Sequence, residues 1–183
     1  LFWVRGLAHT GGVALWFYAM ARIPIADVTA MNYLSPIYVT IGAALFLGER
    51  LAFRRIIAVI VALVGALIIL RPGFREIEAG HVTMLFTAIF FATSYLIAKL
   101  MSDETNPQVV IVMLSVTVTV GLAPLALANW VTPTWQETGV LFAVAALATS
   151  GHYTMTLAFA SAPRTVTRPV TLAMSVIQTL RRR

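Results

Sequence analysis

Residues 32–73 contain the feature that most constrains this chain, two long apolar runs joined by a short charged segment. Pro36 and several small residues lie inside the first run. The joining segment contains Gly48, Glu49, Arg50, Arg54 and Arg55. Each run approaches the roughly 20 residues that a helix needs to cross a bilayer. The pattern therefore predicts a membrane hairpin.

Composition extends this prediction to the whole chain. Of its 183 residues, 60% are hydrophobic and only 11% are charged, whereas a soluble domain has about 25% charged residues. A soluble core of this size cannot bury so much apolar surface, so the lipid bilayer is the expected partner. The net charge of +6 does not indicate nucleic acid, because the basic residues lie between apolar runs instead of forming a stripe. With no cysteine, the chain has no disulfide and no thiolate metal site.

Charged residues divide the chain into seven apolar runs, which are 6–21, 28–48, 56–70, 79–98, 109–130, 139–160 and 169–180. The second, fourth, fifth and sixth runs exceed the lower limit of about 17 residues for a span. The first and third are shorter, and we expect flanking arginines such as Arg5 to snorkel to the interface. Whether residues 169–180 cross the membrane stays open. Continuous apolar runs without strict alternation predict an all-α, polytopic integral membrane helical bundle of about seven helices.

The basic residues also predict an orientation. If the runs alternate in direction, one side of the membrane receives Arg5, Arg50, Arg54, Arg55, Lys99, Arg164 and Arg168. The other side receives Arg22, Arg71 and Arg75. The side richer in basic residues is expected to be cytoplasmic. The terminal arginines 181–183 disturb this count unless the last run does not span or the natural chain continues.

A faint internal repeat at an offset of 139 residues pairs the first run with the sixth. The matches are Thr10 with Thr149, Gly12 with Gly151, Ala19 with Ala158, Ala21 with Ala160 and Pro24 with Pro163. The first copy ends at the outer face and the second at the inner face. This predicts two copies of opposite topology, an arrangement that many secondary transporters use.

A family resemblance rests on a series of residues in the first 73 positions. These are Ala19, Ile23-Pro24, Pro36, Gly48-Glu49-Arg50-Leu51, and an apolar helix through Gly65 that ends in Arg71-Pro72-Gly73. The pattern resembles the first EamA repeat of the drug/metabolite transporter superfamily. Residues 157–160 with Ala162-Pro163 resemble the corresponding part of the second repeat.

The resemblance implies ten helices in two inverted five-helix repeats, and export or exchange of small metabolites. Residues 1–73 would then form the C-terminal part of the first repeat, helices three to five. Residues 74–183 would form the N-terminal part of the second, helices six to nine with the last one short. The chain would be incomplete at both ends.

Polar positions within the runs are candidates for a solute cavity. Thr29, Asn32, Ser35 and Pro36 follow helical spacing and form one polar or small stripe. Pro36 frees a backbone carbonyl near the middle of the membrane. Hydrogen bonding between packed helices and contact with a solute remain alternatives for Asn32. The cavity candidates are Trp16, Asn32, Ser35, Pro36, Tyr95 and His152.

The histidines leave two readings open. His9 and His152 lie nearer the middle of a run than an interface, whereas His81 is close to the end of a segment. A proton-coupling role is one option. A hydrogen-bonded packing role is the other, because no Asp or Glu within the runs is available as a partner.

The third run and the segment before it carry structural candidates. Ala58, Ala62 and Ala66 recur every four residues with Gly65 adjacent, and this small-residue ridge predicts close helix packing. Glu49 with Arg50, Arg54 and Arg55 is interpreted as a surface ion-pair cluster and topology anchor. A gating latch is the alternative.

No catalytic motif or cofactor site is evident in the sequence, so no enzyme is predicted. The favoured function is alternating-access transport of a small organic solute, such as a metabolite or a drug-like molecule, across the bacterial inner membrane. A noncatalytic membrane scaffold or a transport-incompetent remnant is the alternative, and an integral-membrane enzyme ranks below it. The expected partners are lipid and a small-molecule solute, with a homodimer as one option. Substrate, direction and coupling ion cannot be read from these residues.

Overall fold

The computed structural model describes residues 1–48, 53–70, 76–101 and 105–161, and those residues form helices and connecting turns without any strand. The helices are α1 Phe2–Met20, α2 Ile25–Asn32, α3 Leu34–Leu47, α4 Phe53–Leu70, α5 Ala79–Met101, α6 Pro107–Ala128 and α7 Trp135–Ser161. The all-α prediction is therefore confirmed, and each of the first six apolar runs lies on helix. The seventh run, 169–180, is outside the described residues.

Helix α1 packs most extensively against α5 and α6. Its approach to α5 depends on Gly12, since a Cβ atom there would lie 2.7 Å from the Phe91 ring. Its approach to α6 depends on Gly6, where a Cβ atom would meet the Thr117 side chain. Small residues thus let these apolar helices pack closely, as in other membrane bundles.

The contacts also give the helix directions. Gly6 faces Thr117, and Thr10 faces Gly121 further along both helices, so α1 and α6 run parallel. Gly12 faces Phe91, whereas Ile23, just after α1, faces Gly80, so α5 runs antiparallel to α1. The start of α1, the end of α5 and the start of α6 therefore share one end of the bundle, here called the Arg5 end.

The main apolar core lies toward the opposite end. It consists of Ala19, Ile23, Val28, Met31, Leu34, Ile37, Met84 and Ala88. Trp16, Met20, Tyr38, Val59 and Ala62 pack against it. At the same end Asp27 is 2% exposed, and its Oδ2 lies 3.5 Å from Nε2 of His81.

The second run differs from the sequence prediction in two ways. It is divided at Tyr33 into α2 and α3, and it starts at Ile25, so that Asp27 lies in the first turn of α2 instead of marking a boundary. The physical reason for the division is Pro36, which cannot donate a hydrogen bond to the carbonyl of Asn32. Pro36 therefore falls in the first turn of a new helix, where that donor is not required.

Four helical segments are long and apolar enough to cross a membrane, 25–47, 79–101, 107–128 and 135–160. A shorter apolar helix covers 56–68. Large apolar side chains point outward from these segments, among them Leu45, Phe46, Val61, Phe142 and Leu147. Such a surface needs a lipid environment or further protein to cover it.

Candidate functional site

Arg5 is the most unusual buried residue in the bundle, with 1% of its surface exposed. Its Nη1 donates a hydrogen bond to the carbonyl oxygen of Val110 at 2.8 Å. Its Nε and Nη2 are buried and have no hydrogen-bond partner within the described parts of the chain. The prediction that Arg5 snorkels to the interface is therefore wrong, because α5 and α6 enclose the face of α1 that carries it.

A cluster of rings lies next to Arg5 and joins three helices. The centroid of the His9 ring is 5.0 Å from that of Phe91, 5.3 Å from that of His152 and 6.3 Å from that of Tyr95. The rings of Tyr95 and His152 are 6.4 Å apart. We call His9, Phe91, Tyr95 and His152 the ring cluster. Arg5 is close enough to three members of the ring cluster, His9, Tyr95 and His152, to interact with them electrostatically.

The ring cluster lies well inside the helices. At 1.5 Å per residue, His9 is about 10 Å from the start of α1, and Tyr95 is about 9 Å from the end of α5. His9 is 7% exposed, and its Nδ1 has no hydrogen-bond partner among the described residues. Tyr95 and His152 are half-buried. Histidine at such depth in an apolar bundle marks a functional site by default.

The described carboxylates lie far from Arg5. Asp27 lies beside His81 at the opposite end, and Glu76 and Glu78 precede the start of α5 at that same end. Glu137 is in the first turn of α7, about 22 Å along the helix from His152. Among the described residues, therefore, no carboxylate balances the charge of Arg5. Asp103 and Glu104, like Glu49, lie outside the described residues.

The structure brings together only some of the cavity candidates from the sequence. Tyr95 and His152 come together in the ring cluster. Trp16 lies on the same face of α1 as His9, two turns further on, and packs against the apolar core. Ser35 is 2% exposed and its Oγ has no hydrogen-bond partner in the described ranges, whereas Asn32 and Pro36 are exposed.

Pro36 instead lines a groove between α3 and α4 with a volume of about 190 Å³. The groove residues are Tyr33, Pro36, Ile37, Thr40, Ala58, Val59 and Ala62.

The other two residues of the small-residue ridge lie further along α4. Ala66 is buried, and Gly65 is half-buried with no side chain within 4 Å of an added Cβ. Two residues of the predicted topology anchor lie in the first turn of α4, where Arg54 is exposed and Arg55 follows it in the chain. Glu49 and Arg50 lie outside the described residues.

Sequence reasoning missed Arg5 and Phe91 as site residues and left His9 open. A usable signal was the spacing of Arg5, His9, Gly12, Trp16 and Ala19, which puts all five on one helix face. That face is the one that α1 packs against its neighbours.

The described residues contain no group of three or more His, Cys, Asp or Glu side chains that could hold a metal ion.

Comparison with known proteins shows which family and which transporters this chain is similar to. The EamA-like transporter family matches residues 1–71. The pseudopaline exporter CntI of Pseudomonas aeruginosa strain UCBPP-PA14 is 32% identical over 166 residues, which is 89% of this chain and 58% of that protein. The riboflavin transporter of Rhizobium johnstonii is 33% identical over 159 residues, 86% of this chain and 53% of that protein. The S-adenosylmethionine uptake transporter of Rickettsia bellii is 28% identical over 167 residues, 91% of this chain and 57% of that protein.

The chain thus spans a little more than half the length of these curated relatives, and they extend the similarity well beyond residue 71. No solved structure matches the chain significantly. The residue pattern through Gly73, the helices long enough to span a bilayer and the transporter relatives agree with one another. This chain is an integral, multi-pass membrane protein, and its residues 1–71 match the EamA-like transporter family.

Proposed function

We propose that this protein moves a small organic solute across the bacterial inner membrane by alternating access, and that Arg5 and the ring cluster form its binding site. The observation that carries the proposal is the burial of Arg5 beside His9, Tyr95 and His152 inside apolar helices. Burying ionisable groups inside apolar helices is unfavourable in free energy, and a role in solute binding would explain why they are there. The named relatives include an exporter and uptake transporters from bacteria, which supports the solute class and the membrane but leaves the direction open.

The proposal includes the inverted repeats, with residues 1–73 in the first and residues 74–183 in the second. Helices α1 and α6 run parallel, and α7 returns from α6 through residues 129–134, so α7 runs opposite to α1. The offset of 139 residues pairs these same two helices. Their opposite directions support an inverted relation. The ring cluster then lies between the two repeats, with His9 from the first and Tyr95 and His152 from the second.

The other sequence candidates keep secondary places in this proposal. Trp16 and Ser35, with buried polar atoms that lack partners among the described residues, lie further along the interior from the ring cluster. Asn32 and Pro36 remain predictions, as do the small-residue ridge of α4 and the arginine anchor before it. A homodimer also remains a prediction, which counting of photobleaching steps in single liposomes would test.

Transport by the protein expressed from its complete gene and reconstituted in liposomes is the test of this function. Riboflavin and S-adenosylmethionine are the first solutes to try, in both directions. We expect Tyr95→Ala and His152→Ala to lower transport of the responsive solute by about tenfold or more, because each removes a ring from the site. Tyr153→Ala is the matched control, since Tyr153 is an exposed neighbour of His152 on α7.

Two results would contradict the proposal at different levels. Transport that is unchanged in the Tyr95 and His152 variants would show that the site is wrong. No transport of any solute from a broad metabolite panel by the wild-type protein would reject the function and favour a noncatalytic membrane scaffold. Trp16→Ala and Asn32→Ala test the secondary candidates in the same assay.

A further inference from the structure

The unsatisfied donors of Arg5 indicate what kind of solute the site takes. A guanidinium group has five N–H donors in a planar fork and no acceptor. One nitrogen, Nη1, donates to the carbonyl oxygen of Val110, while Nε and Nη2 have no hydrogen-bond partner in the described ranges. A buried charge is strongly unfavourable unless an opposite charge and hydrogen bonds compensate it.

The groups that face Arg5 do not supply that compensation. Its titratable neighbours are His9 on its own helix, Tyr95 on α5 and His152 on α7, and each of these is neutral or cationic near pH 7. The described carboxylates Asp27, Glu76, Glu78 and Glu137 are remote from the Arg5 end. Within the described part of the chain, the missing element is therefore an anion with two or more acceptor oxygens.

The ring cluster adds a second recognition element beside this charge. Tyr95 and His152 are half-buried, and the His9 ring lies 5.3 Å from His152 and 5.0 Å from Phe91. His9 and Phe91 are buried, so the half-buried rings of Tyr95 and His152 are the ones against which a planar group can stack. A guanidinium fork next to these two rings suits a molecule that carries an anionic oxygen group on or near a ring.

We propose that the site selects anionic organic solutes, with a carboxylate or phosphate held by Nε and Nη2 of Arg5 and a planar part against the ring cluster. This inference rests on the transport function proposed above and names its substrate class. A phospholipid headgroup offers the same phosphate chemistry, so the experiment must separate a soluble anion from a lipid.

Matched probe pairs that differ only in charge provide the test. The probes are nicotinate with nicotinamide, and indole-3-acetate with indole-3-acetamide. Binding is measured by titration calorimetry on the complete protein in a neutral detergent. We expect the wild-type protein to bind each carboxylate about 30-fold more tightly than its amide, since a buried charge pair is lost with the amide. Arg5→Gln should remove this preference, and Arg5→Lys should retain part of it and show that the protein folds.

Arg22→Gln is the charge-matched control. Arg22 is exposed, donates to the carbonyl oxygen of Tyr18 at 3.1 Å and stacks on the Tyr18 ring, away from the Arg5 end. Its loss changes the net charge by the same amount and should leave the preference intact. Phosphatidylglycerol added to the detergent should not displace the carboxylates.

Several results would overturn this inference. They are equal binding of carboxylate and amide by the wild-type protein, no binding of either carboxylate at millimolar concentration, a preference that survives Arg5→Gln, and displacement by phosphatidylglycerol. The transport function has a separate readout. Solute movement without anion preference rejects only the inference, whereas Arg5-dependent anion binding without movement of any solute supports the inference and rejects transport.

Discussion

At the scale of single residues, the site depends on glycines as much as on the groups that form it. Gly12 lies one turn from His9 on α1, in direct contact with Phe91 of the ring cluster. A larger residue at this position would separate α1 from α5, and the rings of His9 and Phe91 could not keep a centroid distance of 5.0 Å. Close packing thus gives the ring cluster its geometry.

Gly12→Ala is therefore expected to destabilise the protein by about 1–3 kcal/mol, because the added methyl group meets the Phe91 ring. Gly139→Ala is the control, since no atom lies within 4 Å of a Cβ added there. Alanine's higher helix propensity should make that change neutral or stabilising by up to about 1 kcal/mol. Thermal unfolding in detergent, followed by size-exclusion chromatography, measures both. Equal stability of the two variants would argue against the tight α1–α5 contact.

At the scale of elements, α7 begins with a reciprocal capping arrangement. The backbone N–H of Thr134 donates to Oε2 of Glu137 at 2.7 Å, and the N–H of Glu137 donates to Oγ1 of Thr134 at 3.3 Å. This is the capping box, which satisfies donors that a helix start would otherwise leave open. It fixes where α7 starts after residues 129–134, and hence the register in which His152 reaches His9.

Thr134→Val should weaken the first turn of α7, since it removes the hydroxyl but keeps the shape. Loss of an N-cap costs about 0.5–2 kcal/mol, so amides 136–138 should exchange hydrogen about 2- to 30-fold faster. Hydrogen–deuterium exchange with mass spectrometry measures this directly. Thr93→Val is the control, because the Thr93 hydroxyl donates only to the Ile89 carbonyl of its own helix. Unchanged exchange at the start of α7 would mean that the capping box does not stabilise it.

At the scale of the whole molecule, the basic residues and the helix directions together predict an orientation. The Arg5 end contains the starts of α1 and α6 and the end of α5 with Lys99. Positive residues favour the cytoplasmic side, so the Arg5 end is expected to face the cytoplasm. The proposed binding site then lies in the cytoplasmic half of the membrane.

Cysteine labelling tests this orientation, because residues 1–183 contain no cysteine that would react in place of an introduced one. A Thr132→Cys variant, in the exposed connection between α6 and α7, should react with a membrane-impermeant maleimide in cells whose outer membrane alone has been permeabilised. Gln108→Cys, exposed in the first turn of α6, should react only after the inner membrane is opened. Labelling in detergent controls for intrinsic reactivity. The opposite pattern would show that the Arg5 end faces outward.

The sequence by itself determined that the chain is helical, where its first six apolar runs lie, and which family it resembles. In lipid, each span must satisfy its backbone hydrogen bonds internally, so run length and proline position are local signals that survive in the folded state. The pattern around Pro36 and Gly48 is likewise local, and it carried the family resemblance. The break at Tyr33 follows from Pro36, although its position was not predicted.

Only the tertiary structure decided what surrounds Arg5. The local sequence around a basic residue near the end of an apolar run is the same whether water or other helices surround that residue. Here α5 and α6 enclose Arg5. His9, Tyr95 and His152 are remote in sequence and meet because of helix direction, glycine contacts and the register of α7. No local pattern encodes those three together. The contact is therefore a property of packing between helices, which is where we propose that the solute binds.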